Sequence, residues 1–406
     1  MLRRKGARLS ESKNEAGSAY GWVVVASAFT LMFVGFSAAY SFAAFFTAYQ
    51  AEFGASRGHI ALVFSVAAFL WFLAGAPGGV LADRFGARRV ALAGVACLAA
   101  ALALAAVSRS VGVLYVTYSV GIGLGVGLVY VPSVGAVQPW FGANRAFASG
   151  IAVAGIGAGN IAGPLLAAWW IGLYGWRGAY VALAIFVLVL GGIAASLLRN
   201  RSIPKAENTA SVRDALRTAP FWLLYVALTL SCIGLFVPMV HLGAYAQDLG
   251  YSEAQGVTLV SLIGLGSLIG RFTIGPFADR VGRGYSLAAM FAGLGVMLLV
   301  WWAASTWWLL AGFAIVFGAC YGAYVALLPT IVMDLYGPRA VSGITGFLYT
   351  GAGLGTLLGP WLAGVAYDAL GAYDLPILGG SLCAFLAAAI VVMMMRSEKT
   401  EILHRG

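Results

Sequence analysis

The sequence predicts an all-α membrane protein of twelve spanning helices arranged as two six-helix repeats. Three observations predict it. The first is composition: 62% of the 406 residues are apolar and only 9% are charged, against roughly 25% charged in soluble globular proteins. A soluble fold cannot hide that much apolar surface and still cover its exterior, so the surplus must face lipid. The second is pattern. Runs such as 90–107 and 180–198 are continuously apolar, where a membrane barrel would alternate apolar and polar residues in segments of about ten. The third is an internal repeat at one fixed offset. Together they exclude a soluble enzyme, a disordered chain and a nucleic-acid binder. The net charge of +10 sits in loops between apolar runs.

A spanning helix needs about 20 apolar residues, and the spans follow in order. Residues 1–20 are polar and basic, with no apolar core or small-residue cleavage site before Gly21, so they read as a cytoplasmic tail and not a signal peptide. Span one (21–49) carries Tyr40. Span two (58–82) runs into the polar loop at Asp83 and Arg84, and span three (90–107) follows. Span four (111–138) holds Tyr130 two residues before Pro132. Its glycines at 121–127 have nucleotide-loop spacing but sit in an apolar span, which reads as close helix packing. Span five (146–171) holds Asn160, and span six (178–198) ends the first repeat. The longest polar stretch, 199–219, reads as a cytoplasmic linker whose end, 211–217, fits a short amphipathic helix. Span seven (220–247) carries His241 and span eight (256–278) carries Arg271. Spans nine (285–304), ten (307–335, with Tyr321 and Tyr324), eleven (341–367) and twelve (375–395) complete the second repeat. Residues 396–406 form a second cytoplasmic tail.

Twelve spans put both ends on one side, and the charges agree. Of 24 Lys and Arg, the opposite side holds only Arg57, Arg109 and Arg177, and Arg271 lies within a span. The basic side is therefore read as cytoplasmic and the membrane as the inner, plasma membrane. Gly79 to Gly86, with Asp83 and Arg84, recurs as Gly275 to Gly282, with Asp279 and Arg280, an offset of 196. Gly155, Gly157, Gly159, Gly163 and Pro164 recur at the same offset as Gly351, Gly353, Gly355, Gly359 and Pro360. Repeats of six spans point the same way through the membrane, so an axis along the membrane normal relates them, as in secondary transporters. The expected units are 21–198 and 220–395.

The Gly-x-x-x-Asp-Arg-x-Gly loops after spans two and eight resemble those of the major facilitator superfamily. Tyr20-Gly21-Trp22 at the start of span one, Trp140-Phe141 before span five and Gly270-Arg271 in span eight look like the monocarboxylate transporter family. Residues 40–46 and 214–222 resemble its bacterial members. The resemblance covers about residues 20–395. It implies a major facilitator fold, alternating access and proton symport. It also implies that Asp83, Arg84, Arg88, Asp279, Arg280 and Arg283 tie neighbouring spans together in one conformation. There are departures: Ser267 stands where the family often has an aspartate, span one has no lysine, and span eleven has no lysine or arginine.

Arg271 is the first candidate for substrate. A mid-membrane arginine is costly and normally faces a cavity or a partner. Its face carries the small residues Gly264, Ser267 and Gly275, and its planar fork suits a carboxylate. All fourteen acidic residues lie in tails, loops or span ends, so no mid-depth carboxylate neutralises it, and one cation suits one carboxylate. Tyr40, Tyr130, Tyr321 and Tyr324 are candidates for shaping the apolar part of the cavity, and Asn160 for a polar contact. His241 is the proton-coupling candidate, with an outer-gate role as its alternative. The four cysteines lie inside apolar runs without metal-ligand spacing. No metal, cofactor or enzyme activity is expected.

The expectation is a secondary transporter of small monocarboxylates such as lactate or pyruvate, with the proton as co-substrate and the bilayer as its surroundings. The alternatives are exchange or export of a larger aromatic or dicarboxylic acid and, more remotely, a carboxylate sensor.

Overall fold

The computed structural model describes residues 2–141, 145–199, 212–337 and 341–405, and side chains within 19–141, 147–199, 212–337 and 343–396. Among the described residues every element is helical. Ten segments are long and apolar enough to cross a membrane. Span one is built from α1 (Leu2–Tyr40) and α2 (Phe42–Phe53), interrupted at Ser41, so Tyr40 sits at a break in the helix. Then come α3 (Arg57–Phe85), α4 (Ala87–Ala106), and the short α5 (Val111–Leu114), which runs through a π-helical stretch into α6 (Gly121–Val137). Next, α7 (Arg145–Phe186) continues through a second π-helical stretch into α8 (Gly192–Leu197). Phe147–Leu197 makes 51 residues, roughly 75 Å of helix at 1.5 Å per residue and more than twice a bilayer core. It turns at Gly175, where φ 67° and ψ 171° are non-helical, so it crosses twice.

The second repeat follows the short α9 (Val212–Ala215). It comprises α10 (Ala219–Asp248), α11 (Glu253–Val281), α12 (Arg283–Ala303), α13 (Trp307–Tyr336), α14 (Val341–Leu370) and α15 (Asp374–Arg405). The 30-residue α14 is long enough to cross but is not among the ten apolar segments; counting it once and the folded-back 147–197 segment twice reconciles the helices with the twelve expected spans. Two expectations changed in detail. The first helix runs back to Leu2 through the expected tail, and the amphipathic helix shrinks to α9. The rest of the expected linker, 200–211, lies outside the described residues, as do the side chains of both tails at 1–18 and 397–406.

The repeat seen in sequence is a repeat of geometry. Ser56 and Ser252 cap α3 and α11, accepting the N–H of His59 and Gln255 at 3.4 and 3.3 Å. Both helices end at a glycine with the same left-handed turn, Gly86 (φ 90°, ψ 140°) and Gly282 (φ 93°, ψ 141°). A side chain is strained at that φ. Gly155, Gly159 and Gly163 press against the backbone of α1 at Phe29, Phe33 and Ser37; Gly355 and Gly359 press against α10 at Thr229 and Ile233. Without side chains the backbones approach closely, the standard way to pack helices where lipid offers no hydrophobic drive. The odd member of each set faces the other repeat. Gly157 receives Leu268 of α11, and Gly353 receives Phe72 of α3. These two seams, α7 with α11 and α14 with α3, join the halves. The two aromatic entry motifs meet as well: Trp140 lies 5.5 Å from Tyr20, and Phe141 lies 5.1 Å from Trp22.

Candidate functional site

Arg271 stands on α11 at the join between the halves and is partly buried. Its Nε donates to Ser267 Oγ at 3.4 Å, a weak bond one turn back. Its Nη2 is buried with no hydrogen-bond partner, and among the described residues it has no ion pair. A buried guanidinium nitrogen without an acceptor is expensive to leave unpaired. Its charge reaches the phenols of Tyr40, Tyr130, Tyr321 and Tyr349. Those phenols pair across the halves: Tyr40 with Tyr321 at 3.2 Å, and Tyr130 with Tyr349. Arg271 therefore faces a ring of hydroxyls from α1, α6, α13 and α14 and, among the described residues, no carboxylate.

Aromatic rings wall this group. Trp71 of α3 lies 6.0 Å from Phe36, 6.3 Å from Tyr40 and 6.4 Å from Phe236. Phe36 meets Tyr130 edge-on at 6.0 Å, and Phe72 contacts Tyr349 at 5.7 Å. Sequence reasoning missed Tyr349, Trp71 and Phe36. Tyr349 carried a usable signal: it lies two residues before Gly351, on the helix whose glycines mark a repeat face.

Two expected site residues sit at the margin of this group, Tyr324 in ring contact with Tyr321 at 5.9 Å and Asn160 beside α11. Tyr324 packs into the C-terminal repeat, 5.3 Å from Phe291 and 3.7 Å from Cys232 Sγ through its hydroxyl. Asn160 is 1% exposed, and its peptide packs on Gly264, two turns before Arg271. Both amide atoms, Oδ1 and Nδ2, lack partners. No hydrogen bond joins Asn160 to Arg271 among the described residues.

His241 lies toward the end of the bundle opposite the basic loops, here the distal end. Its Nε2 is 2.8 Å from the Pro360 carbonyl and its Nδ1 3.0 Å from the Tyr373 hydroxyl. That end is closed around Arg57, which the sequence reading took as a topology mark. Arg57, the first residue of α3, donates through both Nη atoms to Asp248 at 2.6 Å and through Nη1 to Tyr373 at 2.8 Å. Its guanidinium lies over Tyr367 at 3.9 Å. Asp368 accepts the first two amides of α3, Arg57 N–H at 2.9 Å and Gly58 N–H at 2.8 Å. Amides in the first turn have no partner inside the helix and favour an anion. Gly58 and Gly364 meet backbone to backbone.

The basic end is looser. Asp83, Arg84, Arg88, Asp279 and Arg280 are exposed, and neither Asp83 nor Asp279 is in an ion pair among the described residues. Arg84 lies over Phe85 at 5.2 Å. Arg88 lines a recess of about 550 Å³ with Arg89 and Arg199. Arg283 pairs with Asp334 at 2.6 Å, joining α12 to α13.

Residues 25–284 and 231–405 each match the family described as Major Facilitator Superfamily. Monocarboxylate transporter 13 of Rattus norvegicus is 29% identical over 387 residues, covering 92% of this chain and 88% of its own length. Monocarboxylate transporter 4 of the same species is 29% identical over 405 residues, covering 92% and 83%. Monocarboxylate transporter 12-B of Danio rerio is 25% identical over 435 residues, covering 95% and 90%. These relatives are animal proteins and give no support to the bacterial-type part of the resemblance.

Proposed function

The chain belongs to the Major Facilitator Superfamily, and on that premise we propose that it moves small monocarboxylates of the lactate or pyruvate kind together with a proton. Two six-helix halves, 21–198 and 220–395, rock about the central site and open it alternately to each side. The basic end, with Asp83, Arg84, Arg88, Asp279, Arg280 and Arg283, is cytoplasmic, the distal end faces outward, and the membrane is the inner, plasma membrane. Arg271 binds the carboxylate. Tyr40, Tyr130, Tyr321 and Tyr324 shape the rest of the site, and Asn160 offers a polar contact. The observation that carries this reading is the unpartnered, buried Nη2 of Arg271 among hydroxyls. A single cation with no acid beside it attracts one carboxylate and leaves a second one unpaired. The names of the relatives point the same way.

A second reading has its own support. The wall of Trp71, Phe36 and Phe72 offers ring-stacking surface that a three-carbon acid hardly uses, which favours a larger aromatic acid and an exchange mechanism. The deciding experiment is uptake of radiolabelled lactate into proteoliposomes under an inward proton gradient with the potential clamped, with aromatic acids as competitors. Gradient-driven accumulation establishes symport of the small acid. Exchange without accumulation, blocked by an aryl carboxylate, establishes the second reading. Flux of neither kind ends both.

A further inference from the structure

The distal closure contains a chain of hydrogen bonds whose direction is fixed by chemistry. The Pro360 carbonyl can only accept, so His241 Nε2, 2.8 Å away, carries a hydrogen. The Arg57 guanidinium can only donate, so the Tyr373 oxygen accepts from it at 2.8 Å. The Tyr373 O–H is then left to donate to His241 Nδ1 at 3.0 Å, and Nδ1 must be bare. The chain from Arg57 through Tyr373 and His241 to Pro360 fits neutral His241 in its Nε2–H form. A proton added at Nδ1 turns that nitrogen into a donor facing the hydroxyl, breaks the O–H bond it was receiving, and sets a second cation beside Arg57.

We propose that protonation of His241 and closure of the distal end exclude each other, with Tyr373 as the positioning residue that couples them. The proposal rests on the transport reading above and gives the outer gate its proton site. The ring's neighbours decide when the proton can arrive. Phe46 of α2 covers it edge-on at 5.4 Å, and Arg57 of α3 stands beyond Tyr373. Both belong to the N-terminal repeat, whereas Tyr373 and Pro360 belong with His241 to the C-terminal one. Parting of the halves removes the cover and the neighbouring cation at once and leaves Tyr373 and Pro360 in place. As the end closes again, the Nδ1 proton leaves to water and the neutral ring resumes its bond to Tyr373.

Other titratable or charged groups face the same place: Arg57 from α3, Asp368 and Tyr367 from α14, Tyr373 from the connection to α15, and Tyr245 and Asp248 from α10 itself. The α2 helix presents Phe46, which does not titrate. Acid could also loosen the closure by protonating Asp248 or Asp368, so the test must separate these from His241.

The test needs no substrate. The full chain, with its four cysteines replaced, carries spin labels at Ala51→Cys and Ala254→Cys, exposed sites at the distal ends of α2 and α11. Their distance distribution is recorded in nanodiscs from about pH 7.5 to about pH 5, the range in which histidine titrates. The ratio of long to short distances should rise on acidification, by up to about tenfold per pH unit for one linked proton. H241Q offers Pro360 a donor and Tyr373 an acceptor but takes no proton, so its distances should stay short throughout. Y373F removes the joint and should at least halve the slope, and it carries the test if H241Q does not fold. Acid opening in H241Q equal to that of the unmodified protein, or an unchanged slope in Y373F, overturns the proposal and assigns the effect to the carboxylates. Failure of lactate uptake would sink the substrate reading and leave these distances untouched.

Discussion

Helices α3 and α11 begin and end alike and differ in the middle. At the offset of 196, Ser56 matches Ser252 as cap and Gly86 matches Gly282 as turn, with backbone angles equal within a few degrees. Two turns from the basic loop the match stops: Trp71 corresponds to Ser267, and Gly75 to Arg271. A side chain at Gly75 would press on Val131 of α6, 3.1 Å from its Cβ, whereas Arg271 occupies the equivalent place on α11. One repeat supplies an aromatic wall, and the other a cation with a small residue beneath it. The scaffold is duplicated and the chemistry is not. The teaching is that a repeat constrains the residues that hold helices together and leaves the residues facing the central site free to diverge.

That comparison can be broken or sharpened, starting with the largest effect. Arg271→Gln keeps the size of the side chain and deletes the charge. Loss of a charge-assisted pair of about 3 kcal/mol predicts a fall in saturable uptake of more than about a hundredfold. Unchanged melting of the purified protein would show that the fold is intact, and normal uptake would move the site off α11. Gly159→Val and its repeat partner Gly355→Val place methyls where the imagined Cβ is already 2.7 and 2.3 Å from backbone oxygen. Each should destabilise by about 1–3 kcal/mol or more, read as a lowered melting temperature. Unequal losses would mean that the scaffold is less symmetric than its spacing. Arg271→Lys retains the charge without the fork and should cost about tenfold in apparent affinity. Tyr321→Phe removes one hydroxyl from the Tyr40 pair and should change affinity only two- to tenfold, the reach of about 0.5–1.5 kcal/mol.

Much of the fold is legible in the sequence because the bilayer imposes a length and a polarity on each pass. Gly175 blurred only the assignment of secondary structure, since the charge pattern already required two passes there. Arg271 was legible for the same reason: a lone cation in an apolar run stands out. Its company was not. Trp71 and Tyr349 are ordinary aromatics in a chain with 12 Trp, 18 Tyr and 23 Phe, and only the packing of α3 and α14 brings them together. Tyr324 shows the converse. It lies three residues on from Tyr321 in the same helix and touches its ring at 5.9 Å, yet its hydroxyl turns to Cys232 in its own half. The Arg57–Asp248 bond joins residues 191 apart in the chain. Each sits at a span end, where a charge reads as solvated, so the partner is invisible until α3 and α10 are placed.

The seams between the halves carry a mechanical consequence. Leu268 seated at Gly157 and Phe72 seated at Gly353 are knobs in shallow sockets, with no hydrogen bond at either contact point. Rolling a knob across its socket exchanges one set of dispersion contacts for another, at about 0.1–0.2 kcal/mol per atom pair, so little resists gradual motion. Resistance gathers instead where Arg57 meets Asp248, Tyr373 and Asp368, whose directional bonds must part together. Beyond the phenol pairs Tyr40–Tyr321 and Tyr130–Tyr349, the molecule is in this respect a pair of low-friction bearings with a catch at the distal end, and its turnover rate should follow the strength of the catch rather than the tightness of the bearings.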